Sequence, residues 1–180
     1  MRSLRRNEDG STAVEFGLVA VPLVFLVVGI IEIATILFIN SSLEAGVIQA
    51  SRYAITGATT PGVTREDKVV EILNTYGFGL VNIQPANVVT LIYPNFASVG
   101  QPEPFTDANS NGVYDAGEDF TDVNGNGSWD SDMGTAGLGG PGDIVVYKVE
   151  YDWGLLTNLL KPLMGTLTLT SGVAVRNEPY

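Results

Sequence analysis

From Phe16 to Ile39 the chain is apolar almost without relief, and Glu32 is its one ionisable residue. As a helix rising about 1.5 Å per residue these residues reach about 36 Å, enough to cross a hydrocarbon core of about 30 Å with some tilt. A secretory signal has a shorter apolar stretch ending at a small-residue cleavage site, and a buried core helix rarely runs so far without a polar face. The pattern therefore reads as a membrane-spanning helix. Past Asn40 the apolar positions thin to a stripe, Leu43, Val47, Ala50 and Ala54, at helical spacing. The same helix is expected to continue to about Thr56 and stop near Gly57. TTPGVT breaks the pattern, and REDKVVEILNTYGFG resumes it with Val69, Ile72, Leu73 and Tyr76 on one face. Thr64 is placed to cap that second helix, with Asp67 three residues on, and Gly77 to end it.

Further on the period changes from helical to alternating. ANVVTLIYP, DIVVYKVEYDW and TLTLTSGVAVRN read as strands rich in β-branched residues. In the second, Val145, Tyr147, Val149 and Tyr151 share one side and Val146, Lys148, Glu150 and Asp152 the other; in the third, Leu167, Leu169 and Ser171 alternate with threonines. LLTNLLKPLM, between these two strands, reads as an apolar connection covering the sheet. The expected fold class is α+β: a long N-terminal transmembrane helix, then a small antiparallel sheet of about three strands packed with one helix.

Composition narrows what such a protein does. The 180 residues carry 9 Lys+Arg against 20 Asp+Glu, a formal charge of −11, which argues for no nucleic acid as partner. Cysteine and histidine are both absent, which removes disulfides, thiolate metal sites and the commonest general base. The chain is accordingly expected not to be an enzyme. Paired carboxylates such as Asp143 with Glu150 or Asp152 form a weak hydrolase alternative, since Glu150 and Asp152 read as a solvated strand edge. Arg2, Arg5 and Arg6 precede the apolar span and only Arg52 follows closely, so the positive-inside rule puts the N-terminus in the cytoplasm and the C-terminal domain across the membrane. The polar residues after Arg5-Arg6 discount twin-arginine export.

At the head of the span stand Gly10, Ser11 and, at the fifth place counted from Ser11, Glu15. A cut after Gly10 would give Ser11 a new ammonium, and Glu15 would complement the positive helix end or meet the ammonium of a neighbouring copy. A local reading stands beside it: Thr12 to Glu15 fits a capping box within one chain. Glu32 has two readings of its own, pairing with a group in another helix or solvation near the headgroups. Pro22 either kinks the anchor or, near its first turns, does little.

These residues carry a resemblance. Gly10 followed by STAVEF is similar to the processing site of type IV prepilin-like proteins, and GSTAVEFGLVAVPLVFLVVGIIEIATILFINSSLEAGVIQASRYA resembles the TadE-like family of pseudopilins of tight-adherence (Tad) pilus systems. The C-terminal VVYKVEYDWGLLTNLLKPLMGTLTLTSGVAVRNEPY resembles that family's closing stretch. The resemblance implies a pilin-like subunit of the bacterial inner membrane, single-pass, cleaved by a prepilin peptidase after Gly10. It implies partners in itself or other pilin-like subunits through the N-terminal helix, with Glu15 and Glu32 as assembly residues, and a link to an extracellular pilus. The corresponding organisation is a cytoplasmic leader over residues 1–10, an extended helix over 11–57, and an extracytoplasmic α+β domain over 58–180.

That domain holds an acidic insert, residues 103–132, with 8 acids and no base. It contains a repeat: Glu103-Pro-Phe-Thr-Asp107 through Asp115 recurs fifteen residues on as Glu118-Asp-Phe-Thr-Asp122 through Asp130. Against the calcium-loop pattern the first unit supplies Asp107, Asn109, Asn111, Asp115 and Glu118 at positions 1, 3, 5, 9 and 12, the Val113 carbonyl at 7, and Gly112 for the sharp turn at 6. A calcium ion wants 6–8 oxygens, and alternate residues of a tight loop supply them. The second unit offers Asp122, Asn124, Asn126 and Asp130, but Met133 at its position 12; Asp132 or, by repeat symmetry, Glu103 is needed to complete it. The loops resemble those of dockerin modules, without the sequence for a full helix–loop–helix. Ca2+ is the cofactor expected, ordering an excursion with no apolar payload. The competing readings are a solvated acidic loop and, for the whole chain, a membrane-tethered calcium-dependent binding module.

Overall fold

The computed structural model describes residues 9–57, 60–157 and 161–179, with backbone only for residues 9–12 and 163–164. Arg2, Arg5 and Arg6 lie outside them, as does the capping box expected of Thr12. Helix α1 runs Asp9–Ile55 without interruption, Pro22 included. Then come α2 (Arg65–Tyr76), β1 (Val88–Tyr93), β2 (Thr135–Ala136), β3 (Ile144–Trp153), the four-residue α3 (Lys161–Met164) and β4 (Leu167–Arg176). The chain divides into two compact units, one of residues up to Phe38 with Asp152–Thr168, the other of Ile39–Tyr151 with Leu169–Tyr180.

In the first unit α1 keeps its apolar side chains outward: Phe16, Leu23, Ile30 and Leu37 are all more than half exposed. Among the described residues this is the one helix long and apolar enough to cross a membrane. An outward apolar surface is the arrangement lipid favours and water does not.

In the second unit the stripe turns inward. Ile39, Leu43, Val47, Ala50 and Ala54 are all at most 1 % exposed. α2 lays Val69 and Leu73 against the core, each burial stabilising by about 1.5–3 kcal/mol. The two helices approach closely at Gly46, where an added Cβ would stand 3.2 Å from the Tyr76 Cβ and 3.3 Å from a Leu73 methyl. Thr64 caps α2 by accepting from the Asp67 N–H at 3.0 Å, and Gly77 closes it. The end of α1 is capped from a distance: Arg65 donates to the Ala54 carbonyl at 2.7 Å, and the Glu178 N–H donates to that of Ile55 at 3.0 Å. These partners satisfy carbonyls that a helix C-terminus leaves open.

The sheet has the order β2-β1-β3-β4. β1 pairs antiparallel with β3, Val88 opposite Val149 and Tyr93 opposite Ile144, and with β2 on its other edge. The fourth strand, two residues long, was not anticipated: TA between glycines carries no alternating pattern to mark it. The expected faces are observed, Val145, Tyr147 and Val149 buried and Glu150 and Asp152 exposed. In the connection after β3 Leu156 is exposed, and residues 158–160 of that connection lie outside the described ones.

Candidate functional site

The sequence pointed to three places, and the first is the head of α1. Gly10 and Ser11 are already helical and Glu15 is exposed on the same helix. One turn separates Ser11 from Glu15, but the helix begins at Asp9, so Glu15 lies beyond the first turn, within which the positive helix end acts.

Glu32 is the second place, and it is 1 % exposed. Its Oε1 accepts the Leu156 N–H at 2.7 Å, and its Oε2 accepts the Thr157 N–H at 3.3 Å and the Thr157 hydroxyl at 3.4 Å. These donors belong to its own chain, an arrangement beside the two expected, pairing with another helix and solvation. No local pattern flags a partner 124 residues away.

The insert is the third, and its repeat is visible as two matching loops. In the first, Asp107 accepts the Asn111 N–H at 3.1 Å and the Gly112 N–H at 2.7 Å, Asn109 accepts that of Asn111, and Asn111 accepts that of Val113. Gly112 has φ +77°, a conformation few other residues tolerate. Asp115 receives the side-chain amides of Asn109 and Asn111 at 2.6 and 2.8 Å. The second loop repeats every one of these contacts with Asp122, Asn124, Asn126, Gly127 and Asp130.

The two glutamates close the loops in the same way. Glu118 accepts the Ala108 and Asp115 N–H groups at 2.9 and 3.0 Å. Glu103 accepts those of Val123 and Asp130, its counterparts one repeat on, at 2.7 and 3.1 Å, and that of Asn124 besides. Glu103 is fully buried. Of the two residues considered for completing the second loop, the structure therefore brings in Glu103. Asp132 faces elsewhere: it accepts the Tyr93 hydroxyl at 2.8 Å.

The insert also has an apolar payload, against expectation. Tyr114 and Trp129, equivalent in the repeat, stack with centroids 4.5 Å apart and planes 10° from parallel. Phe105 meets both edge-on, and Phe120 meets Tyr114 edge-on. A bridge between Phe105 and Phe120, with Thr106 N–H to Asp119 and Thr121 N–H to Pro104 carbonyls at 2.8 Å, ties the repeats together. Fifteen-residue spacing put these four rings in register, and reading the segment as merely acidic concealed them. At its root the Met133 N–H donates to the Gln101 carbonyl at 2.9 Å and the Glu103 N–H to that of Asp130 at 3.0 Å.

The residues fit a calcium ion in kind. Each loop presents two aspartates, two asparagine oxygens and a glutamate, oxygen ligands of the kind calcium takes, although Asp115 and Asp130 each already accept two side-chain amides on one oxygen. The asparagine amides at Asp115 and Asp130 now do in hydrogen bonds part of what a cation would do in charge. Among the described residues no three Asp, Glu, His or Cys side chains gather as a metal cluster.

The remaining acids have local duties. Asp143 accepts the Gly140 N–H at 2.8 Å, Glu150 pairs with Lys148 at 2.6 Å, and Asp152 accepts the Thr168 hydroxyl at 2.7 Å. Burial first, then its bond to Asp132, pushes the Tyr93 hydroxyl up to about 12 from 10.0. A folded-state value above the unfolded one favours the native state below pH about 10 and withdraws that support as pH rises toward about 12. Stability is therefore expected to fall across that window, and Tyr93→Phe to flatten the fall in alkaline denaturation curves.

No curated protein and no solved structure matches the chain significantly. Residues 10–54, from the glycine before Ser11 almost to the end of α1, match the model of the TadE-like protein family.

Proposed function

We propose that the protein is a pseudopilin-like subunit associated with a Tad pilus, anchored in the bacterial inner membrane by α1 and carrying its C-terminal domain on the periplasmic side. The observation that carries this reading is the match over residues 10–54, coincident with a continuous helix that bares its apolar side chains. A prepilin peptidase would cut after Gly10, and the freed Ser11 ammonium would find Glu15 of its own or a neighbouring copy. Assembly then proceeds through α1 packed against itself or other pilin-like helices. N-terminal sequencing of the protein from its native membrane tests this: Ser11 as first residue is expected, and an intact leader would overturn processing.

Calcium bound by Asp107, Asn109, Asn111, the Val113 carbonyl, Asp115 and Glu118, and in the second loop by Asp122, Asn124, Asn126, Asp130 and Glu103, would hold the insert in one form. Its role is structural. At a calcium concentration a hundredfold above the dissociation constant, binding at one site adds about 2.7 kcal/mol of stability. The full chain in detergent is expected to melt several degrees higher with calcium, the gain shrinking in Asp107→Ala and vanishing in Asp107→Ala/Asp122→Ala. A melting temperature indifferent to calcium in the unmodified chain would remove the metal from this account.

The twinned loops favour a second reading, a membrane-tethered module whose calcium-ordered insert docks a surface protein. It predicts an unprocessed N-terminus, so the same sequencing separates the two.

A further inference from the structure

We infer that residues 154–157, directly after β3, are a second membrane-contacting element: a non-helical stretch seated in the outer leaflet and clasped to α1 by Glu32. The inference rests on the reading that α1 crosses the bilayer.

Depth is the first ground. Glu32 lies seven residues before Ile39, about 10 Å down the helix axis. Its neighbours on α1 are lipid-like surface on both sides: Ile31 and Ile33 are 54 % and 53 % exposed, and Leu37, beyond it, 64 %. The backbone of Leu156 and Thr157, held at 2.7 and 3.3 Å from that carboxylate, stands at the same level. Leu156 itself is 54 % exposed there, a large apolar side chain beside a helix whose surroundings are acyl chains.

Satisfaction of polar groups is the second. Non-helical backbone at membrane depth is tolerated only where protein rather than lipid covers it, here on the side turned to Glu32, and a carboxylate in the span only when it has donors. Glu32 and the 156–157 backbone supply each other. The covering partner is thus the lipid already in contact with α1, not a separate protein.

The chain has no cysteine, so single cysteines can be labelled cleanly. Leu156→Cys, Val113→Cys at the insert and Leu23→Cys in the span would each carry an environment-sensitive fluorophore, in full-length protein in phosphatidylethanolamine/phosphatidylglycerol vesicles containing a shallow spin-labelled lipid. The Leu156→Cys label is expected to be quenched about threefold more than that at Val113→Cys, as a group in the outer leaflet should be. Adding Glu32→Ala is expected to return it to the Val113→Cys level, whereas Glu32→Gln, which keeps an acceptor oxygen, preserves quenching. A label in water at Leu156→Cys with a quenched one at Leu23→Cys would overturn the inference and leave the anchor intact. If neither is quenched, the anchor reading fails and takes the inference with it. Blue-shifted emission without quenching would mark a protein occupant, and quenching that survives Glu32→Ala would show the clasp to be idle; either outcome overturns the proposal as stated.

Discussion

Glu103→Ala is expected to unfold the 103–132 insert while α1, α2 and the sheet persist. The side chain is fully buried and accepts the N–H groups of Val123, Asn124 and Asp130, so its removal strands three backbone donors in a site water enters poorly. At about 1–3 kcal/mol for each buried donor left unsatisfied, the loss amounts to several kcal/mol locally. The Tyr114–Trp129 stack sits on the loop that loses its closure, and its near-ultraviolet circular dichroism should fade. Hydrogen exchange would show the amides of the insert opening while those of β3 stay protected. Glu103→Gln, retaining one acceptor oxygen, should fall between. An insert as protected in Glu103→Ala as in the unmodified chain would mean the aromatic cluster alone holds it.

Leu73→Ala is expected to cost about 2–5 kcal/mol, because a side chain 1 % exposed leaves a cavity between α2 and α1. For a chain of this size that lowers the melting temperature by roughly 5–15 °C. Gly46→Leu should destabilise comparably by the opposite route, driving the helices apart where they now nearly touch. The two sites share one space, so Gly46→Ala should partly refill what Leu73→Ala empties. The double variant is then expected to be more stable than the sum of the single effects, readable as a thermal double-mutant cycle. Strict additivity would deny the close approach.

Periodicity carried most of the architecture because burial and period have one cause. Leu43, Val47, Ala50 and Ala54 recur at helical spacing since only that spacing keeps them on one face, and the face proved to be core. Tyr147 and Val149 were assignable for the same reason at period two. Contacts made across long separations leave no such trace. Glu32 stood out as an acid in an apolar run, but its donors at Leu156 and Thr157 are invisible without the fold. The insert divides along the same line: alternating oxygens in Asp107–Glu118 mark a loop locally and repeat symmetry offers Glu103 for the second, whereas choosing Glu103 over Asp132 required seeing that it accepts from Val123 and Asp130 as Glu118 does from Ala108 and Asp115. β2 is short and glycine-flanked, and owes its existence to the free edge of β1.

The root of the insert has an architectural consequence. Gln101 and Met133 are hydrogen-bonded neighbours, so the polypeptide departs from the host domain and rejoins it at one doorway. An excursion joined in that manner places few geometric demands on what carries it, the Asp132–Tyr93 hydrogen bond and the packing of Val123 against the Tyr93 cluster being among its further contacts with the host. Lengthening it by another fifteen-residue unit would leave those contacts and the host strands in register, and the outward decoration of such a subunit is free to diversify while its scaffold stays as it is.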